Sequence, residues 1–246
     1  MASFCRKLTL HLAVACLTAV SAHAQESALE FWPEVDVWLR LSPAWRASMY
    51  VPISKNVETK YREGSILGQA DFAWGHTRYH RRMLDEGRAQ TLRSYMLRGG
   101  YLVGKSLADD GATYQERTVL AEFHGRIPLT GNMLLSQRLR TDLRWLGDDA
   151  EFSQRWRYRV MVEKEYTAGS ASIVPYINAE PYYDSRYNTV NRIRVIGGAT
   201  FAWTHQAAIE TNWTYQHDTK SSVSQLNALN VILHLFFETK SARPPS

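Results

Sequence analysis

Cysteine is almost absent from this 246-residue chain, which carries only Cys5 and Cys16. Both lie within the first 24 residues, so the remainder of the chain has no thiol. Without thiols the remainder can form neither a disulfide framework nor a zinc site built on thiolates. Its fold must therefore be held by backbone pairing and side-chain packing.

Acidic residues are also absent from residues 1–24, where the only charges are Arg6 and Lys7. These two cations precede an apolar stretch, and the segment closes with Ala-His-Ala before Gln25. This order of features predicts a secretory signal peptide over residues 1–24, cleaved before Gln25. The apolar stretch is too short for a membrane anchor, which needs about 20 residues. A lipoprotein signal at Cys16 is the weaker alternative, because alanine stands where a larger aliphatic residue is usual.

A strong charge of one sign is missing as well, because 29 Lys and Arg face 24 Asp and Glu, a net charge of +5. Loss of Arg6 and Lys7 with the signal leaves 27 against 24, or +3. Such a mild charge does not favour a nucleic-acid partner, and export argues against one. A second long apolar run is also absent, and together with a mean hydropathy of −0.35 this excludes a helical membrane protein.

What the chain does contain is a large number of amphipathic aromatic residues, 8 Trp and 13 Tyr. Polar and apolar residues alternate through most of it. In the run 154–166, Arg155, Arg157 and Arg159 share one face, while aromatic and aliphatic residues dominate the other. Side chains alternate between two faces on a strand, whereas on a helix the same charges would spread around the cylinder. Such strands in an exported, aromatic-rich chain are typical of a transmembrane β-barrel.

Eleven segments show this alternation, separated by polar connectors rich in turn-forming residues. The segments are residues 31–41, 45–53, 66–79, 91–104, 114–126, 132–145, 154–166, 172–183, 190–197, 207–216 and 229–237. Bacterial single-chain barrels have an even number of strands, so either a twelfth strand lies within 54–65 or 80–90, or one segment is wrong. We therefore predict an all-β fold, a single transmembrane antiparallel β-barrel of about 12 strands (10–12) over residues 25–246.

The segment 172–183 is an imperfect strand, because it contains Pro175 and Pro181. Proline has no backbone N–H, so each of them deletes one donor from a ladder. Their presence predicts a bulge or a protected position in this strand.

The arginine-rich face decides which side of the predicted barrel meets lipid. An Arg near the bilayer midplane costs about 2–4 kcal/mol when it faces lipid. Three of them, Arg155, Arg157 and Arg159, would rival the whole stability of a typical domain, about 5–15 kcal/mol. The arginine face is therefore predicted to line the lumen. A soluble barrel of this size would instead enclose a hollow apolar cavity, since packed barrels use about eight strands.

Aromatic residues cluster towards the predicted strand ends, which suits two interfacial girdles. They are Trp32, Trp45, Tyr79, Tyr101, Trp145, Trp156, Tyr166, Tyr183, Trp203 and Tyr215. The last strand, residues 229–237, runs from Leu229 to the pair Phe236 and Phe237. It resembles the terminal strand that the barrel-assembly machinery reads, although a short tail follows it. The expected location is the outer membrane of a Gram-negative bacterium, with outer-membrane lipid and this machinery as partners.

The order of several residues along the chain resembles a known family. These residues are Trp32, Trp45, Gly99-Gly100-Tyr101, Glu116-Arg117, the run from Arg155 to Arg159, Glu180 and Gly197-Gly198. They resemble the uncharacterised Gram-negative family called domain of unknown function 2490, over nearly the whole mature chain. The resemblance implies an outer-membrane barrel without an assigned activity, and it brings no catalytic residues.

Charged residues on the luminal face are the candidate functional residues. The candidates for lining a pore are Arg138, Arg140, Arg155, Arg157, Arg159, Glu163, Glu180, Arg192, Arg194 and Glu210. A guanidinium row predicts a narrow, porin-like channel that passes a small anionic solute, because guanidinium binds carboxylate bidentately. The alternative is a closed structural barrel in which Arg and carboxylate side chains pair across the lumen.

A lipid-modifying enzyme is a third hypothesis, because Glu122, His124 and Ser136 can be drawn as a catalytic triad. Residues two apart on a strand are about 6.5–7 Å apart, which argues against a contact between Glu122 and His124. His76 and His80 would be about 13 Å apart on a strand, too far to share a metal. A nucleophile elbow, a phosphate-binding glycine loop and a zincin motif are absent from the sequence. We therefore predict no enzymatic activity, no cofactor and no metal.

Overall fold

The computed structural model describes residues 27–59, 61–75, 94–107, 114–131, 133–168, 171–204 and 206–239. Regular structure in these ranges consists of strands only. The predicted signal peptide, residues 1–24, lies outside the described residues. No helix in the described ranges is long and apolar enough to cross a membrane.

Twelve strands follow one another along the chain, and eleven of them are between 12 and 15 residues long. They are β1 (Ser27–Arg40), β2 (Trp45–Asn56), β3 (Arg62–Trp74), β4 (Tyr95–Ser106), β5 (Gln115–Leu129), β6 (Met133–Leu146), β7 (Glu151–Lys164), β8 (Tyr166–Ala168), β9 (Ala171–Asp184), β10 (Thr189–Ala202), β11 (Ala207–Asp218) and β12 (Gln225–Glu238). Each predicted segment overlaps one of the eleven long strands.

The eleven long strands close into one barrel. Neighbours pair antiparallel, with β7 against β9, and the three-residue β8 pairs with the first residues of β9. The closing pair, β1 with β12, is parallel, from Ser27 opposite Gln225 to Arg40 opposite Glu238. We call the end of the barrel where β1 begins the N-terminal rim, and the end where β12 finishes the C-terminal rim.

The predicted closure by an even number of antiparallel strands is therefore wrong. An odd number of up-and-down strands brings the last strand back in the same direction as the first, so the seam must be parallel. Of the two places proposed for a twelfth strand, 54–65 contains the end of β2 and the start of β3. The other, 80–90, lies outside the described residues.

Tight turns keep the strands in register at the N-terminal rim. Residues 147–150 connect β6 to β7, and both Gly147 (φ 69°) and Ala150 (φ 52°) have a left-handed backbone. Residues 185–188 connect β9 to β10 and end at Asn188 (φ 50°), a residue type that tolerates this conformation. These four-residue connections hold the inward-facing side chains of consecutive strands at matching heights.

The two prolines of β9 fall where its ladder with β7 is broken. Pairing stops after Arg157 opposite Tyr182 and resumes at Val160 opposite Ala179, so Pro181 lies in the gap. Pro175 lies just beyond the last pair of the same ladder. The backbone nitrogens of both prolines, which carry no hydrogen, therefore face β7 where its ladder is interrupted. This agrees with the prediction of protected positions. The bulge in this region is instead on β10, where the register with β9 shifts between residues 190 and 192.

The barrel is apolar outside and polar inside. Outward-facing Ile66 and Ile177 are 57% and 59% exposed, and similar aliphatic or aromatic side chains cover all eleven long strands. Inward-facing carboxylates are among the most buried side chains, with Asp142 at 1% and Asp184 at 0% exposure. Charged residues are almost never fully buried unless they are paired, so these interior carboxylates require cationic partners.

Candidate functional site

The ten predicted luminal residues all point into the barrel. They alternate with exposed apolar residues along β6, β7, β9, β10 and β11. Three pairs face each other across the β6–β7 ladder: Arg138 with Arg159, Arg140 with Arg157, and Asp142 with Arg155. The predicted inward direction of the arginine face therefore matches the geometry, whereas their role as a pore lining stays a prediction.

Glu122, at the centre of β5, is one of the most highly coordinated carboxylates of the interior. It accepts hydrogen bonds from Arg98 (3.3 Å) and Arg140 (3.0 Å), and Arg138 lies 3.5 Å away. Its Oε2 also lies 2.8 Å from Nε2 of His124. The side chain is 0% exposed, so three guanidinium groups and one imidazole replace its water.

Two aspartates extend this cluster into a continuous chain. Asp71 bridges Arg46 (2.7 Å) and Arg98 (2.6 Å), and Asp142 bridges Arg140 (2.6 Å) and Arg157 (2.6 Å). The resulting chain of ion pairs crosses six consecutive strands, from β2 to β7. We call it the transverse chain; its members are Arg46, Asp71, Arg98, Glu122, Arg140, Asp142 and Arg157.

Glu180 on β9 continues the network beyond the transverse chain, since Arg138 donates to it at 2.5 Å. Tyr182 also donates to Glu180, at 3.0 Å, and is itself only 1% exposed. Four guanidinium carbons surround the Tyr182 ring at 5.1–5.9 Å; they belong to Arg155, Arg157, Arg192 and Arg194. Stacking of this kind on an aromatic face is attractive and excludes water.

Arg194 also makes a contact that spans two intervening strands, β11 and β12. Its guanidinium lies 5.2 Å from the ring of Trp32, so a side chain of β10 meets one of β1. Trp32 was predicted to belong to an interfacial girdle, and that prediction is wrong. It lies on the same face as Glu30, to which its indole N–H donates at 2.5 Å, and it therefore points inward.

A second cluster lies near the N-terminal rim. Arg144 binds Glu116 (2.9 Å) and approaches Asp184 (3.5 Å), which also binds Arg155 (3.3 Å) and Arg186 (2.9 Å). The side-chain hydrogen bonds from Arg186 to Asp184, in the turn after β9, raise the pKa of this guanidinium.

A third cluster joins the strands beside the parallel seam. His234 on β12 lies between Asp36 on β1 (3.1 Å) and Glu210 on β11 (3.3 Å). Tyr176 and Asn212 also donate to Glu210. The seam is thus held by charged side chains as well as by its ladder.

The remaining predicted residues differ in their partners. Arg192 pairs with Asp218 (2.6 Å), and Arg194 donates to Gln216 (2.6 Å). Glu163 is buried at 4% exposure. Arg159 lies opposite another cation, Arg138, and has no hydrogen bond or ion pair within the described residues.

Sequence reasoning missed several interior residues, among them Asp71, Arg98, Asp184 and Tyr182. Each lies on the inward face of a strand in which polar and apolar residues alternate only weakly. Its odd or even position along the strand was therefore the only sequence signal that could have found it. Near the C-terminal rim, Arg46, Asp71, Met96 and Arg126 border a cavity of about 30 Å³, which is water-sized.

The hypothetical catalytic triad of Glu122, His124 and Ser136 is not assembled. Glu122 and His124 do touch, contrary to the distance argument, because long side chains on one face can lean towards each other. Ser136, however, has a buried hydroxyl without a hydrogen-bond partner among the described residues. His76 and His80 lie outside the described residues, and within them no group of three or more His, Cys, Asp or Glu could hold a metal.

Comparison with known proteins places the chain in a family. No curated protein matches it. The profile of one family, described as protein of unknown function (DUF2490), matches residues 30–227, most of the chain and nearly all of the barrel. The chain therefore belongs to the DUF2490 family.

Proposed function

We propose that this protein is an outer-membrane β-barrel of a Gram-negative bacterium that serves as a closed structural element, with a lumen filled by its own ion pairs. The observation that carries this proposal is the transverse chain inside a barrel whose exterior is apolar. Charged groups inside and hydrocarbon side chains outside suit lipid as the surrounding solvent.

Strand length supports insertion into a membrane. A transmembrane strand needs about 9–11 residues, and the long strands here have 12 to 15. Outward-facing side chains near the middle of these strands, such as Ile66, Val119, Leu139 and Ile177, are 42–59% exposed. In water such a surface would drive aggregation, because monomeric soluble proteins rarely expose apolar patches beyond a few hundred Å².

Pairing of the luminal charges supports a closed barrel over the predicted anion channel. A channel must hold its ions weakly enough to release them. Here the guanidinium groups of the transverse chain are already engaged by Asp71, Glu122 and Asp142 at 2.6–3.3 Å. An incoming anion would have to displace buried carboxylates, whose removal leaves the remaining charges without compensation.

Planar-bilayer recording tests the closed lumen. We expect no discrete conductance from purified protein at either polarity, because the paired charges leave no water-filled path. Slower migration of the boiled than of the unboiled protein on a gel confirms in the same sample that the barrel is folded. Stepwise currents whose anion preference is lost in Arg157→Glu would instead restore the channel hypothesis.

Cell fractionation tests the location. The proposal expects the chain in the outer-membrane fraction, with the signal peptide removed and migration that changes on heating. The terminal strand β12 is the proposed contact for the barrel-assembly machinery; Phe237 is 50% exposed on its outer face. Recovery of a folded, freely soluble periplasmic form would overturn the proposal.

An enzymatic role is tested by His124→Ala. We expect the lipid A and phospholipid profiles of cells that carry this variant to match those of the wild type, because Ser136 has no activating base in contact. A comparison strain without the protein sets the scale of any change. Loss of a lipid species in both strains would establish the enzyme hypothesis.

A further inference from the structure

Four cations lie side by side on the outer surface at the N-terminal rim. They are Lys55 on β2, Arg62 on β3, Lys105 on β4 and Arg117 on β5, and all four are exposed. Their neighbours in sequence, such as Glu63 and Glu116, point inward, which fixes the outward direction of the four. We call these four residues the cationic row.

The sheet register makes the cationic row contiguous. Lys55 lies directly opposite Arg62. Lys105 lies opposite Gly64, two residues from Arg62, and Arg117 lies opposite Val103, two residues from Lys105. Directly opposite side chains are about 4.5–5.5 Å apart and diagonal ones about 7–8 Å. Like charges that lie directly opposite each other, as Lys55 and Arg62 do, destabilise a sheet, and an anion between them would offset this repulsion.

No protein group supplies that anion within the described part of the chain. The side chains of all four cations lack a hydrogen bond or ion pair there, in contrast to the paired arginines of the interior. The outward-facing residues of β2 to β5 include no carboxylate. Glu58, in the turn between β2 and β3, is the nearest exposed one in sequence. The row is therefore an uncompensated positive surface.

The distance along the barrel axis between the cationic row and the aromatic residues at the other end of the same strands matches the distance between two membrane interfaces. On three strands an aromatic residue stands ten positions away from the cation: Trp45 from Lys55, Phe72 from Arg62 and Tyr95 from Lys105. Ten residues rise about 33 Å along a strand, or about 25 Å along the axis of a barrel with strands tilted by about 40°. This equals the height of about 25 Å that is typical of the apolar band of an outer-membrane barrel.

The aromatic residues mark the opposite boundary of that band. Trp45, Phe72, Trp74 and Tyr95 form a stack with ring centroids 5.1–5.9 Å apart. Between this stack and the cationic row the outward side chains are apolar or glycine, for example Ile66 and Val103. A ligand of the row therefore meets hydrocarbon on one side and water on the other.

We propose that the cationic row binds the phosphate groups of anionic membrane lipids. A lipid brings its acyl chains to the apolar band and its phosphate to the row, whereas a soluble anion or a nucleic acid matches the charge alone. Anionic lipid surfaces attract basic residues in this way. This inference rests on the proposed insertion into a membrane.

The test compares two double variants that remove the same charge. Lys55→Gln with Lys105→Gln changes the row, and Lys164→Gln with Lys220→Gln changes two lysines outside it. Protein is reconstituted in vesicles of equal parts phosphatidylglycerol and phosphatidylcholine, extracted gently, and its retained lipids are counted by native mass spectrometry. We expect wild type and control to retain phosphatidylglycerol preferentially, and the row variant to lose about fivefold in preference for each cation removed.

Equal phosphatidylglycerol preference in the row variant and the wild type would refute the lipid site. A second arm adds inorganic phosphate to protein in phosphatidylcholine vesicles. Thermal stabilisation by phosphate that matches stabilisation by phosphatidylglycerol would also refute it, in favour of a free-anion site. Failure of the wild type to form a heat-modifiable barrel in phosphatidylcholine vesicles would instead count against the membrane proposal itself.

Discussion

The substitution Glu122→Ala is expected to lower the free energy of unfolding by about 3–5 kcal/mol, the largest effect of any single interior change. Glu122 is fully buried and lies within 3.5 Å of Arg98, Arg138, Arg140 and His124. Its removal leaves three guanidinium groups short of a counter-charge in a site with little water. Urea unfolding of the protein in lipid vesicles, followed by tryptophan fluorescence and gel mobility, measures the change.

The milder substitution Glu122→Gln separates charge from shape. It keeps the size of the side chain and removes only the negative charge, so most of the loss should remain. Glu151→Gln, an exposed carboxylate at the start of β7, is the matched control and should stay within about 0.5 kcal/mol of the wild type. An unfolding midpoint of Glu122→Gln equal to that of the wild type would mean that the transverse chain does not stabilise the barrel.

Arginine placed on the outer wall should have the second-largest effect. Ile177 lies in the middle of β9 and is 59% exposed on the outer face. If this face meets lipid, Ile177→Arg costs about 2–4 kcal/mol of unfolding free energy, because guanidinium is poorly solvated near the midplane. On a water-exposed wall the same change would be nearly neutral.

A control adds the same charge outside the apolar band. Thr130→Arg lies in an exposed turn between β5 and β6 and should leave the unfolding free energy unchanged within about 0.5 kcal/mol. Both variants are measured in vesicles under the conditions used for the wild type. Equal stability of Ile177→Arg and Thr130→Arg would place the outer wall in water and remove the basis of the membrane proposal.

Alternation in the sequence was enough to predict the strands and their inward face, but not the way in which the barrel closes. The alternation of polar and apolar residues is a local property of the sequence, and all eleven segments were identified from it. The closing ladder between β1 and β12 joins residues about 200 positions apart, such as Ser27 and Gln225, and no local pattern encodes its direction. The rule that bacterial barrels have even strand numbers supplied the expected twelfth strand, and here it was misleading.

For the candidate site, the sequence predicted which side chains point into the barrel but not which partners they bind. Parity on a strand tells which side a residue faces, so Arg138, Arg140 and Arg157 were placed correctly inside. It does not tell which carboxylate each one reaches, because a guanidinium can extend across one or two neighbouring strands. Trp32 was assigned to the girdle from its position near a strand end, although its parity with Glu30 already indicated the interior.

The parallel seam has a practical consequence for engineering this chain. In a barrel with an even number of strands both termini leave from the same side, and a short peptide can join them to make a circular permutant. Here the first and last residues of the wall are separated by the full height of the barrel, about 35 Å for a 14-residue strand tilted by about 40°. A linker would need at least about ten extended residues and a route along the outer wall. In the proposed membrane-spanning state, reporter proteins fused to the two termini should therefore lie on opposite sides of the membrane.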